Sequence, residues 1–290
     1  MEFPPQPWPI GLAERVEPLV RRVLASNPGP FTYTGTETYV VGAGAEVAVI
    51  DPGPDDPAHV AAVLAAVGSA RLVAICCTHT HRDHSPAAAP LAAATGAAII
   101  GCAPLLIDMP DPEAEAPFDK NYRPDRVLRD GESITGPDWT LTALATPGHT
   151  SNHLCFALEQ SGAVFTGDHV MGWSTSVILP PDGSMADYMA SLDKLYQRED
   201  RVYYPAHGPA VTNPQQLVRH MMGHRRQRER QILRVLEGAP ATIPAMVAIM
   251  YKGVDQRLWH AAGQSVLAHL IDLEQRGVVG RGDEQWAILA

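Results

Sequence analysis

Apolar residues cluster in short runs over most of this chain, each closed by Gly, Pro or an acidic residue, and spread into helical spacing towards the C-terminal end. The runs at 38–41, 47–50, 72–77, 97–101, 139–145, 153–158, 163–165 and 202–204 predict strands. Apolar positions recur at helical spacing near 59–67, 86–95, 186–197 and 214–237. Early strands in succession, then strands alternating with helices, predict an α/β fold in which helices cover sheets.

Residues 103–126 break this pattern. Pro104, Pro110, Pro112, Pro117 and Pro124 fall among Asp108, Asp111, Glu113, Glu115 and Asp119, which predicts an irregular surface excursion. Composition changes again at Gly238-Ala239-Pro240. Beyond it, 243–251 and 258–276 read as helices, and 278–279 with 286–289 as a two-stranded wing around Gly280-Arg281-Gly282-Asp283. The expected division is a main domain over 1–237 and a small module over 238–290.

The candidate chemistry starts at Thr78-His79-Thr80-His81-Arg82-Asp83-His84, directly after the run ending at Cys77. In extended chain His79, His81 and Asp83 share one side, and a turn near Arg82 re-aims His84 beside them. Imidazole and carboxylate ligands suit zinc and, less selectively, iron or manganese. A lone His-x-His is a weak signal; the full His-x-His-x-Asp-His run is a strong one. The same placement recurs at His149 after Thr146-Pro147-Gly148, at Asp168 after Thr166-Gly167, at His207 after Pro205-Ala206, and at Asp51 before Pro52-Gly53. Each is a polar residue just past the carboxyl end of an apolar run, where the strand ends of a sandwich converge. Singly, each is more often a turn residue. Their recurrence around the His-rich run reverses that reading.

On these residues the chain resembles the metallo-β-lactamase superfamily over roughly 31–215. Asp187-Tyr188-Met189 with Ser191-Leu192, His224-Arg225 with Arg228-Glu229, Gln231-Ile232-Leu233 and the tail look like its lactamase beta 2-like branch. The resemblance implies a four-layer αββα sandwich with a small C-terminal winged-helix-like domain, and two zinc ions. Metal one would sit on His79, His81 and His149, metal two on Asp83, His84 and His207, with Asp168 bridging. Asp51 would hydrogen-bond a ligand and fix its orientation. Asp83 and Asp168 double as the catalytic candidates. The implied reaction is attack by a hydroxide shared between metals about 3.5–4 Å apart. Ser85-Pro86 departs from the small residues usual after the ligand run, although proline suits a first helical turn.

Composition narrows the function. An apolar fraction of 46% over 290 residues allows a sizeable core, and no apolar run is long enough for a membrane span. The Pro-rich start lacks the basic-then-apolar order of a secretory signal. Cys76 and Cys77 point to opposite faces of one strand, so with Cys102 and Cys155 they read as small buried hydrophobes in a reducing, cytoplasmic setting. The net charge of −10 argues against non-specific nucleic-acid binding by the whole surface. Against that background 219–234 stands out, with Arg219, Arg225, Arg226, Arg228, Arg230 and Arg234 facing the single acid Glu229. Such a run is usually a solvated helix face; here a phosphate-binding face, through Arg225 and Arg228, is the sharper reading.

The function expected is therefore dinuclear zinc-dependent hydrolysis of a phosphodiester such as single-stranded RNA. The alternative is a thioester or other small-ester hydrolase resembling hydroxyacylglutathione hydrolase. A non-enzyme reading makes the tail a partner-binding module. That tail carries Lys252, Arg257, Arg276 and Arg281 against Asp255, Asp272, Glu274, Asp283 and Glu284, so it is expected to pack or self-associate and not to read duplex DNA. His153 and His169 are expected near the ligands. His59, His220, His224, His260 and His269 are expected to be solvated or packed.

Overall fold

The computed structural model of the chain describes residues 9–105, 107, 118–253, 255–256 and 259–289. Asp108, Asp111, Glu113 and Glu115 of the acidic loop, and Arg257 of the tail, lie outside the described residues. The chain divides into two compact units.

The first unit comprises Met1–Thr146, Asn152–Ser176 and Glu199–Pro214. It holds a seven-stranded sheet of β1 (Glu14–Glu17), β2 (Val20–Leu24), β3 (Glu37–Val41), β4 (Glu46–Ile50), β5 (Arg71–Cys77), β6 (Ala98–Gly101) and β7 (Arg126–Val127), in that spatial order. Strands β1 to β4 pair antiparallel, whereas β4, β5, β6 and β7 run parallel. The parallel steps cross over through α1 (Pro57–Val67) and α2 (Ala88–Thr95). Helix α1 starts where the Asp56 side chain accepts the Ala58 N–H, with Pro57 in the first turn.

A second sheet contains β8 (Ser133–Thr135), β9 (Thr140–Ala145), β10 (Leu154–Leu158), β11 (Ala163–Gly167) and β12 (Val202–Pro205), ordered β12-β11-β10-β9-β8. Its pairs are antiparallel except β11 with β12. The two sheets share one core, in which Tyr39 and Ile50 of the first face Leu141, Phe156 and Phe165 of the second. The rings of Tyr39 and Phe165 lie 5.0 Å apart across it. Each such side chain contributes about 1.5–3 kcal/mol on full burial.

The second unit comprises Pro147–Ser151, Val177–Arg198 and Gln215–Ala290. It contains α3 (Met185–Tyr196), nearly all of α4 (Pro214–Gly238), α5 (Ile243–Met250), α6 (Trp259–Gln275) and the hairpin of β13 (Val279–Arg281) with β14 (Trp286–Ile288). Ile232 and Leu236 of α4 pack with Met246, Val247, Leu270, Leu273, Val279 and Trp286. Among the described residues no helix is long and apolar enough to cross a membrane.

Strands β1 and β2 go beyond the sequence expectation. Their charges hide the period, yet Val20, Val23 and Leu24 are buried and Arg22 reaches Glu14 at 2.8 Å across the hairpin. Strands β7 and β8 are too short to display a period. Helix α2 begins at Ala88, later than expected at 86, because the preceding residues turn: His84 N–H donates to the His81 carbonyl and Ala87 N–H to that of Gly53. That turn returns His84 to the strand end.

Candidate metal centre

Strands β4, β5, β11 and β12 of the first unit are each followed, within two residues, by a polar residue that the sequence singled out: Asp51, His79, Asp168 and His207. The run after β5 brings His79 Nε2 to 2.9 Å from His81 Nδ1. Asp168 presents one carboxylate oxygen 4.0 Å from His79 Nε2. Its other oxygen lies 3.6 Å from His84 Nε2 and 3.2 Å from His207 Nε2. Asp83 Oδ2 stands 3.3 Å from His84 Nε2 and 3.2 Å from His207 Nε2. The ligand atoms of Asp83, His84 and His207 all lie within 4.8 Å of one another, and those of His79, His81 and Asp168 likewise. Asp168 thus faces both groups.

The far sides of the His79, His84 and His207 rings are tied down. Asp51 Oδ2 accepts from His84 Nδ1 at 3.0 Å and from the Thr78 hydroxyl at 2.8 Å, while Oδ1 accepts the Thr78 N–H at 2.8 Å. With its proton committed to Asp51, Thr78 Oγ1 accepts from His79 Nδ1 at 3.0 Å. His207 Nδ1 donates to the Gly35 carbonyl at 3.2 Å. These bonds select the tautomer that leaves Nε2 as a lone-pair donor. His84 Nε2 is buried and makes no hydrogen bond among the described residues, which suits a metal ligand. Asp51 itself has φ 46°, a conformation Asp tolerates better than most residues.

Further residues hold the ligand loops. Thr36 Oγ1 donates to Asp83 Oδ2 at 3.2 Å. Asp168 N–H donates to His153 Nε2 at 3.3 Å, so His153 Nδ1 carries the proton it shares with Thr146 Oγ1. His153 therefore positions Asp168, as its nearness in sequence suggested. His169 is buried, with its ring 5.8 Å from that of His153. The Tyr39 hydroxyl lies 2.7 Å from both Glu37 Oε2 and the Pro205 carbonyl, and Glu37 N–H donates to the Ala206 carbonyl. Thr36, Glu37 and Tyr39 were not foreseen; the one available signal was a carboxylate opening an otherwise apolar strand. His59 is a packing residue, bonded to Thr38 Oγ1 at 2.9 Å.

Burial opposes every charge in this cluster. For Asp83 it is outweighed by the imidazoles of His84 and His207, which hold the carboxyl well below the usual range. Burial likewise opposes protonation of His84, but Asp83, Asp168 and Asp51 drive its pKa well up. His207 is raised against desolvation by Asp168 and Asp83. Burial pushes Glu37 up to about 7, against Arg22, Tyr39 and His207. The buried carboxylates thus favour positive charge on the rings beside them. A divalent cation would supply that positive charge and leave the ring lone pairs to bind it.

In the second unit His149 Nδ1 donates to the Val177 carbonyl at 2.6 Å, which puts the ring's lone pair on Nε2. Gly148 before it has φ 137°, and a Cβ there would lie 2.3 Å from Tyr188 Cα. Tyr188 is fully buried and acts by packing. The arginines expected to hold phosphate are differently placed. Arg225 is 4% exposed with its guanidinium over the Tyr188 ring, and Arg228 is half-buried over Tyr251 and bonded to Gln231.

Comparison with known proteins agrees with this geometry. Residues 32–207 match the metallo-beta-lactamase superfamily model, and residues 242–286 match the beta-lactamase associated winged helix domain. The chain is 33% identical over 247 residues to the atrochrysone carboxyl ACP thioesterase dmxR1 of Cryptosporiopsis sp., covering 84% of this chain and 71% of that protein. It is 32% identical over 278 residues to the beta-lactamase-like protein 2 homolog of Drosophila melanogaster, covering 92% of each. A metallo-beta-lactamase family protein of Thermus thermophilus superposes with a TM-score of 0.77 at 22% identity, covering 95% of this chain and all of that one (100%). Strand-end ligands, paired sheets and matched residues agree: this chain belongs to the metallo-β-lactamase superfamily, with a winged helix domain at its C-terminal end.

Proposed function

We propose that this protein is a thioester hydrolase working with two zinc ions. His79, His81 and His149 would hold one metal and Asp83, His84 and His207 the other, with Asp168 shared. The observation that carries this reading is Asp168, whose two oxygens address the two groups separately. When bound, the metals polarise a substrate carbonyl and make water a nucleophile near neutral pH. The chain's own residues do the rest. Asp51, Thr78 and the Gly35 and Val177 carbonyls fix the imidazoles, and His153 and Thr36 fix the carboxylates. Water adds to the thioester carbonyl, the C–S bond breaks, and a carboxylic acid and a thiol leave.

Two things favour a thioester over single-stranded RNA. A relative at 33% identity is named an ACP thioesterase. Arg225 and Arg228, the intended phosphate contacts, are engaged inside the second unit. The domain boundary at 237/238 belongs to the same reading, supported by the end of α4 at Gly238 and by the winged-helix match at 242–286. So does a cytoplasmic location, supported by four buried, unbridged cysteines. The test is turnover of a small acyl thioester beside a short single-stranded RNA and a duplex DNA, with and without chelator. Chelator-sensitive thioester hydrolysis alone is expected. RNA cleavage without thioester turnover would overturn the reading.

A further inference from the structure

We propose that the outer face of α4 docks an acidic acyl carrier protein, a proposal that rests on the thioester reading above. Burial sorts the six arginines of this helix into two sets. Arg225 and Arg228 turn inward, whereas Arg219, Arg226, Arg230 and Arg234 are exposed. Arg226, Arg230 and Arg234 stand one turn apart on one face, and Arg219 continues the stripe two turns earlier. Among the described residues no ion pair or hydrogen bond engages the side chain of any of these four. Glu229, the one acid within 219–234, bonds instead to Arg276 at 2.6 Å.

Like charges at this spacing disfavour a helix. The stripe therefore works against the folding of its own element, in a chain whose net charge is −10. A partner that supplies carboxylates removes that conflict, and the planar guanidinium fork suits them. The stripe runs roughly 22 Å at 1.5 Å per residue, the length of one helix of a small domain. Single-stranded RNA fits less well, because its sequence-tolerant binding relies on aromatic platforms. Residues 219–234 contain no Phe, Tyr or Trp.

The full chain is assayed on an acetyl group carried by a bacterial acyl carrier protein and on S-acetyl-N-acetylcysteamine, which lacks the carrier. The readout is the ratio of the two kcat/KM values. The pair Arg226→Glu and Arg230→Glu should lower that ratio about tenfold, mainly through KM for the carrier, and flatten its salt dependence. Arg226→Lys with Arg230→Lys should retain most of it. An unchanged ratio in the charge-reversed protein overturns the proposal. So does a short single-stranded RNA whose salt-sensitive binding is lost on reversal while the carrier ratio holds. If neither thioester is turned over, the functional reading has failed on its own. Titration with the unacylated carrier then still decides docking: salt-sensitive binding abolished by charge reversal supports it, and no binding to the unaltered protein refutes it.

Discussion

Replacing Asp51 with Asn should alter the proposed metal site without replacing any of its candidate ligands. Asp51 accepts three hydrogen bonds, from the Thr78 N–H and hydroxyl at 2.8 Å each and from His84 Nδ1 at 3.0 Å. An amide has one acceptor oxygen. Placed to keep the Thr78 N–H, it turns its NH2 towards Thr78 Oγ1 and His84 Nδ1. The ring then accepts at Nδ1 and carries its proton on Nε2, the atom a metal needs. Asn tolerates the φ of 46° about as well as Asp, so the backbone should hold. Loss of such a bond behind a ligand typically weakens metal binding 10–100-fold, or about 1.4–2.7 kcal/mol. Zinc competition against a calibrated chelator should show this loss for the Asp83–His84–His207 metal, with the other metal less affected and the circular dichroism unchanged. Equal affinity of both metals in Asp51→Asn and the unaltered protein would refute the role given to Asp51.

Two further outcomes follow from buried groups. Glu37 titrates near 4.5 when unfolded and near 7 when folded, so the folded protein keeps its proton longer. The stability this supplies is present below the unfolded value and is lost as pH rises through about 7, a change of about 3 kcal/mol. Denaturant melts at pH 5 and pH 8 should show Glu37→Gln gaining stability relative to the unaltered protein at the higher pH; parallel profiles would count against it. Gly148→Ala sets a Cβ 2.3 Å from Tyr188 Cα at a φ of 137°, against the Tyr188 backbone and Cβ, none of which a rotamer change can move away. Thermal unfolding should register a loss of roughly 2–4 kcal/mol, and an unchanged melting temperature would falsify the packing argument.

The candidate cluster was legible because each member sits just past the point where an apolar run stops, and that pattern needs no tertiary information. Asp51 and the 78–84 run are of this kind, and their hydrogen bonds follow from two neighbouring parallel strands. The supports from β3 were hidden because Thr36, Glu37 and Tyr39 reach the site by pairing and packing, not by spacing. The arrangement of the arginines was hidden for the same reason. One run of six arginines divides between an inward and an outward face, and a list of residues cannot say which face packs. Strands β1 and β2 escaped notice because Arg21 and Arg22 carry charge inside a segment whose neighbours are buried. There, tertiary pairing overrides local pattern.

The central claim is that two metal ions held by this ligand set perform thioester hydrolysis. Chelator-stripped protein, titrated with zinc while turnover of a small acyl thioester is followed, tests it directly. Activity should be absent at the start and rise to a plateau at two equivalents, with His207→Ala failing to reach it. Full turnover in the stripped protein, or a plateau at one equivalent, would contradict the account.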